Sequence, residues 1–146
     1  MRKLCTRFHG VARQLRHRGD DRTTLEVEDE IDVQDVLHAL LYIDFDDIQI
    51  ETWTPSYAHG SNRTDLLTKP EGIVILVKKT KQGGGAKTLI DQLSADIRRY
   101  SAHSECKALV CFVYDPEGRI GNPKGLEAEL SREQNGRRVI VIISPK

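Results

Sequence analysis

The sequence predicts an α/β domain: one mixed β-sheet, an antiparallel meander plus crossover strands, with helices on both faces. Three observations predict it. Residues 48–79 hold three short strand patterns in a row, separated by loop and turn residues, which is the pattern of a meander. A helical stretch then carries the chain to a further strand, and a helical crossover joins parallel neighbours. That strand, Ala108-Leu109-Val110-Cys111-Phe112-Val113-Tyr114, is apolar throughout rather than alternating, so it expects cover on both sides.

The elements follow in order. Over residues 3–18, Leu4, Phe8, Val11 (or Ala12) and Leu15 recur at helical spacing with arginines between them, and Gly19-Asp20-Asp21 stops the run. Asp32 is placed to cap a second helix over residues 33–42, whose apolar face is Val33, Val36, Leu37, Leu40 and Leu41. Residues 48–53 alternate as a strand, and residues 55–62 read as a loop. Residues 63–67 form a short strand, Lys69-Pro70-Glu71-Gly72 a turn, and residues 73–79 the third strand. Gln82-Gly83-Gly84-Gly85 breaks the chain before a helix over residues 86–103, with Leu89, Ile90, Leu93, Ile97 and Tyr100 on one face. After the apolar strand, Asp115-Pro116-Glu117-Gly118 turns. Pro123 lies near the first turn of a helix through Ser131, where proline is tolerated. Residues 138–144 are a last apolar strand.

With 146 residues, no internal repeat and no dividing linker, residues 1–146 are expected to form a single domain with its own core. Hydrophobic residues at 38% and charged residues at 30% place the chain among soluble globular proteins. No run approaches the roughly 18 apolar residues that span a bilayer. The basic start, Met1-Arg2-Lys3, lacks the apolar run of a signal peptide, so a cytoplasmic protein of bacterial type, with no membrane partner, is expected.

The net charge of zero conceals blocks. Residues 1–18 carry Arg2, Lys3, Arg7, Arg13, Arg16 and Arg18 and no acid, whereas residues 20–51 carry twelve acids against Arg22. The total argues against a general nucleic-acid glue and permits a local basic face beside an acidic one. The basic run is equally readable as a solvated helix face. Cys5, Cys106 and Cys111, and the five histidines, show no metal-ligand spacing. Cys111 within its apolar strand reads as a buried thiol, and His103 as a partner of its helix dipole. Gln82-Gly83-Gly84-Gly85-Ala86-Lys87-Thr88 follows a strand and opens a helix, but a phosphate-binding loop of the nucleotide-hydrolase type needs glycine at Lys81 and Ala86. Trp53, Tyr57, Tyr100 and Tyr114 do not cluster as a platform for stacking bases.

The residues that carry chemistry are Asp65 and Lys78, thirteen positions apart on consecutive strands. Residues two apart on a strand share a face, so Leu76 and Lys78 project together, and Asp65 can reach the same corner if the strands pair. Phosphodiester hydrolysis needs oxygen ligands for a hard divalent ion, usually Mg²⁺, which lowers the pKa of a bound water. It also needs a cation to orient that water or steady the developing charge. Asp65 offers one ligand, the Val77 carbonyl a second, and Lys78 the cation.

In this setting the chain resembles the PD-(D/E)xK nuclease superfamily, in a bacterial branch of restriction-endonuclease-like domains. The stretches that carry the resemblance include Val33-Gln34-Asp35-Val36-Leu37-His38-Ala39-Leu40-Leu41, Asp44-Phe45-Asp46-Asp47-Ile48, Trp53-Thr54-Pro55-Ser56-Tyr57 and Arg63-Thr64-Asp65. They continue with Val77-Lys78-Lys79-Thr80, Asp91-Gln92-Leu93 with Asp96-Ile97, and Val110-Cys111-Phe112-Val113-Tyr114-Asp115-Pro116. The resemblance implies a magnesium-dependent DNA endonuclease, a hydrolase, with Asp65 as the metal-binding aspartate and Lys78 as the catalytic lysine. It also implies that such a domain often ends a longer protein.

One departure stands out. The superfamily pattern has Glu or Asp where this chain has Leu76, and a leucine cannot ligate Mg²⁺. Three explanations compete: a natural pseudo-nuclease, a deliberate inactivating change, or an acid supplied from elsewhere. Candidates for that acid are Glu30, Glu51 and Asp91, with Gln92 as a supporting residue. Glu30 resembles the N-terminal-helix glutamate of the superfamily. Glu30 and Glu51 read more readily as solvated charges, and Gln92 is equally readable as a cap or a solvent-facing residue. Lys79, Lys81, Lys87 and Arg63 are the expected contacts to a nucleic-acid backbone. The rival readings are an inactive relative that binds DNA, and a module that assembles with a second copy of itself or another partner.

Overall fold

The structure, a computed structural model, describes residues 1–53, 63–134 and 136–146, the side chains of residues 51–53, 63, 64 and 134 excepted. The loop expected over residues 55–62 lies outside the described residues. Ten elements follow in order: α1 (Arg2–Arg16), α2 (Glu30–Leu41), β1 (Asp47–Trp53), β2 (Arg63–Lys69), β3 (Ile73–Lys79), α3 (Ala86–Tyr100), β4 (Ala108–Tyr114), α4 (Pro123–Leu130), β5 (Arg132–Gln134) and β6 (Arg137–Ser144). The strands form one sheet in the order β1-β2-β3-β4-β6-β5. The β1–β2, β2–β3 and β5–β6 pairs are antiparallel, and β3–β4 and β4–β6 are parallel. The mixed sheet expected from the meander and the crossover is present.

Strand alternation divides the core in two. Leu67, Val74, Leu76, Leu109, Cys111, Val113, Val139, Val141 and Ile143 pack with Leu93, Ile97 and Tyr100 of α3 and Leu126 and Leu130 of α4. The interleaved residues Leu66, Ile75, Val110, Phe112, Tyr114 and Ile142 pack with Cys5, Phe8 and Ala12 of α1 and Val33, Val36, Leu37 and Leu41 of α2. Helices therefore cover both faces, which explains why β4 is apolar without a break. Among the described residues no helix is long and apolar enough to cross a membrane.

Four details correct the sequence reading. First, α2 starts at Glu30, with Asp29 as its N-cap; Asp32 is the third helical residue. The Asp29 carboxylate accepts from the amides of Ile31 (2.9 Å) and Asp32 (3.0 Å), while the Asp32 carboxylate accepts from the amide of Asp29 (3.2 Å). The two acids form a reciprocal capping box, so the spacing fits both ends of one motif. Second, α1 stops at Arg16, where His17 leaves helical geometry. Third, α3 ends at Tyr100. His103 lies three residues beyond it, where its amide donates to the Tyr100 carbonyl (3.1 Å) and its Nδ1 accepts from the Glu105 amide (3.2 Å). Fourth, β5 was not expected. Its three residues are polar or charged and show no apolar alternation, and it is recognised only by pairing with β6.

Candidate functional site

The β2–β3 ladder runs from Thr68↔Ile73 to Leu66↔Ile75 and goes no further. The two strands part there, so Asp65 and Leu76 flank a fork. Asp65, Leu76 and Lys78 all project to the α3 side of the sheet, as alternation requires. The Thr80 amide donates to the Tyr114 carbonyl (3.0 Å), so even-numbered residues at this end of β3 bond to β4. The Val77 carbonyl then points toward the β2 side, beyond the last pair of that ladder.

From above, α3 closes the fork. Asp96 and Tyr100 are four residues apart and share a helix face. The Tyr100 hydroxyl donates to Oδ2 of Asp65. The Asp96 Oδ2 lies 3.1 Å from Nζ of Lys78, and its Oδ1 lies 3.5 Å from Nη1 of Arg99. Lys78 and Asp96 are 3% and 2% exposed, and ions this buried persist when each has a partner. Leu76, 3% exposed, belongs to the α3-side apolar cluster and is in register with Cys111. Burial pushes the Cys111 thiol well above its ordinary range; the carboxylate of Asp96 pushes it further, Lys78 opposes, and Asp65 adds to the rise.

Above this corner opens a cleft of about 420 Å³, flanked by the N-terminal ends of α2 and α3. Asp65, Leu76, Val77, Lys78, Lys79, Lys81, Glu30 and Gln92 all line it, as does Asp96. The structure therefore brings most of the sequence-predicted residues together. Gln92 is exposed at the rim, and Glu30 comes from the α2 wall beside Asp29. Lys87 is exposed and does not line the cleft, although Ala86 and Thr88 on either side of it do. Asp91 is likewise exposed and does not line it. The side chains of Arg63 and Glu51 lie outside the described residues. Gly84 and Gly85 lie on the cleft, and Gly85 is the N-cap of α3, so that helix starts without a side-chain cap. Uncapped amides at a helix start suit an anion.

Sequence reasoning missed Asp96 and Tyr100 as members of the site. The signal was an acid set inside the apolar stripe of α3, between Leu93 and Ile97. An acid in such a stripe needs a buried partner.

The donors do not fit a complete Mg²⁺ site. Such an ion wants a near-octahedral set of oxygens. At position 76 the corner offers methyl groups, and the Asp96 carboxylate is paired with Lys78 and Arg99. Among the described residues no group of three or more His, Cys, Asp or Glu side chains is placed to hold a metal. Asp65 and the Val77 carbonyl remain as the donors facing the fork, and Glu30 stands on the α2 wall.

A family model described as REase_DpnII-MboI matches residues 1–146. No curated protein and no solved structure matches the chain.

Proposed function

The chain belongs to the REase_DpnII-MboI restriction endonuclease family, and we propose from its cleft that it engages DNA there, with phosphodiester cleavage impaired by Leu76. The observation that carries this reading is the placement of Asp65, Leu76 and Lys78 at one strand fork, under a cleft walled by Lys79, Lys81 and the uncapped start of α3. Restriction endonucleases of this kind ordinarily use a divalent metal. A phosphate of the backbone would be drawn by Lys79, Lys81 and the α3 amides. Lys78, held by Asp96, would steady negative charge on that phosphate or orient a water beside it. Asp65, fixed by Tyr100, would present one carboxylate oxygen. With a leucine where the pattern has an acid, the remaining donors bind Mg²⁺ weakly, and cleavage is slow or absent while DNA binding persists.

The experiment compares the chain with Leu76→Glu for binding and Mg²⁺-dependent cleavage of double-stranded DNA. Cleavage gained by the variant alone is the expected result. Equal cleavage by both would place the acid elsewhere, with Glu30 the first to test. Salt-dependent binding without cleavage by either would favour the inactive DNA-binding reading. That reading has an observation of its own: Leu76 is fully packed in the α3-side cluster, so the core accommodates an apolar residue there. No binding even at low salt, with a stable dimer, would favour the assembly module.

A further inference from the structure

The cleft has a wall that neither the strand fork nor the glycine loop supplies. After β4 the chain turns through residues 115–120, and Arg119 and Ile120 of that turn line the cleft. The turn is built on a single buried carboxylate. Asp115 is 2% exposed. Its Oδ1 accepts from the Thr80 hydroxyl (2.7 Å) and from the Arg119 amide (2.9 Å), and its Oδ2 accepts from the Ile120 amide (2.9 Å). Thr80 directly follows β3, two residues beyond Lys78. One carboxylate therefore ties the turn that carries Arg119 to the end of the strand that carries Lys78.

A buried carboxylate is costly unless its oxygens are satisfied, and here three donors satisfy it. The result is a fixed Arg119 backbone at the cleft, not a loose surface loop. The Arg119 side chain is 32% exposed, and its Nε lies 2.6 Å from Oε2 of Glu117. A guanidinium has five donors in a rigid fork, and the Glu117 contact uses the Nε one. The fork suits a phosphate, which can take two parallel hydrogen bonds. An exposed ion pair of this kind is by itself worth little, so a phosphate can displace Glu117 at small cost.

We propose that Arg119 is a phosphate-gripping arm of the cleft, presented by the Asp115 buckle and restrained by Glu117 until nucleic acid binds. This rests on the DNA-binding reading above. The test is fluorescence anisotropy with labelled double-stranded DNA of mixed sequence, in EDTA, across a series of KCl concentrations. Wild type is expected to bind with a salt-dependent affinity. Arg119→Ala weakens binding and lowers the log–log salt slope by about 0.9, the value for one lost phosphate contact. Arg119→Lys keeps the slope and binds with intermediate affinity, and Glu117→Gln binds more tightly than wild type. Arg138→Ala, which removes an equal charge from β6 away from the cleft, leaves slope and affinity unchanged. If wild type binds and Arg119→Ala keeps its slope, the arm is refuted while DNA binding stands. The arm is also refuted if Arg138→Ala matches Arg119→Ala, because net charge then explains the loss. If wild type shows no binding at the lowest salt, the DNA reading itself fails and takes the arm with it.

Discussion

Lys78 and Asp96 meet at 3.1 Å with almost no access to water, and this pair fixes the lysine at the cleft. Taking two ions out of water is expensive, and their attraction repays that cost only while both are present. Replacing Asp96 by alanine leaves a buried ammonium without its carboxylate and opens room in the α3 face. Asp96→Ala is therefore expected to lose about 3–5 kcal/mol of folding stability, measured by urea denaturation. The double variant Lys78→Met with Asp96→Leu should recover much of that loss, because the buried ammonium is removed with its carboxylate and only the partly exposed Arg99 loses a partner. A loss under about 1 kcal/mol in the single variant would show that the pair is not buried in solution. Leu76 has the opposite character. It is an apolar side chain packed in the α3-side cluster beside the charged corner, and its packing, not its chemistry, is what the fold uses.

The α2 start shows how an element serves the site. Asp29 and Asp32 cap the helix reciprocally, and the same turn brings Asp29, Glu30 and Ile31 to the cleft. Asp29→Ala removes one acceptor for two amides and is expected to cost about 1 kcal/mol, seen as a lower urea midpoint with unchanged m-value. It also frees the Glu30 turn, so a variant with full stability would contradict the capping assignment. The sequence reading put this helix three residues too late because Asp29 and Asp32 both resemble caps, and only backbone geometry chooses between them. By contrast, β3 and β4 were legible to the residue. Both are short apolar runs with sharp breaks, Gly72 before β3 and Asp115-Pro116 after β4. The strand β5 was not legible, since its existence depends on β6 alone.

At the scale of the whole molecule, two cores on either side of one sheet hold the fork between them. The layer order followed from the meander, the crossover and the unbroken apolar β4. The shared face of Asp65, Leu76 and Lys78 was legible because strand alternation fixes which residues project together. Asp96, Tyr100 and Arg119 were not, because each acquires its role from a partner distant in sequence or from a turn built by one buried carboxylate. The buried thiols give the fold a pH dependence. Burial raises Cys5 from 9.0 to about 12. Between those values the folded thiol stays protonated while the unfolded one ionises, so the unfolded state binds fewer protons and stability falls as pH rises. Its contribution is whole below pH 9.0 and is lost progressively up to about 12. Thermal melts from pH 8 upward should show this decline, and Cys5→Ala should make it shallower; an unchanged slope would contradict the burial of that thiol.

The account turns on Leu76 as the residue that prevents the corner from holding a metal. Calorimetric titration of Mg²⁺ into the chain and into Leu76→Glu, without DNA, tests this most directly. The account predicts affinity at least about tenfold tighter in the variant, equivalent to ~1.4 kcal/mol, and loss of that gain when Asp65→Asn is added. Equal affinity in the two proteins would contradict it, and would mean that the leucine is not what the metal site lacks.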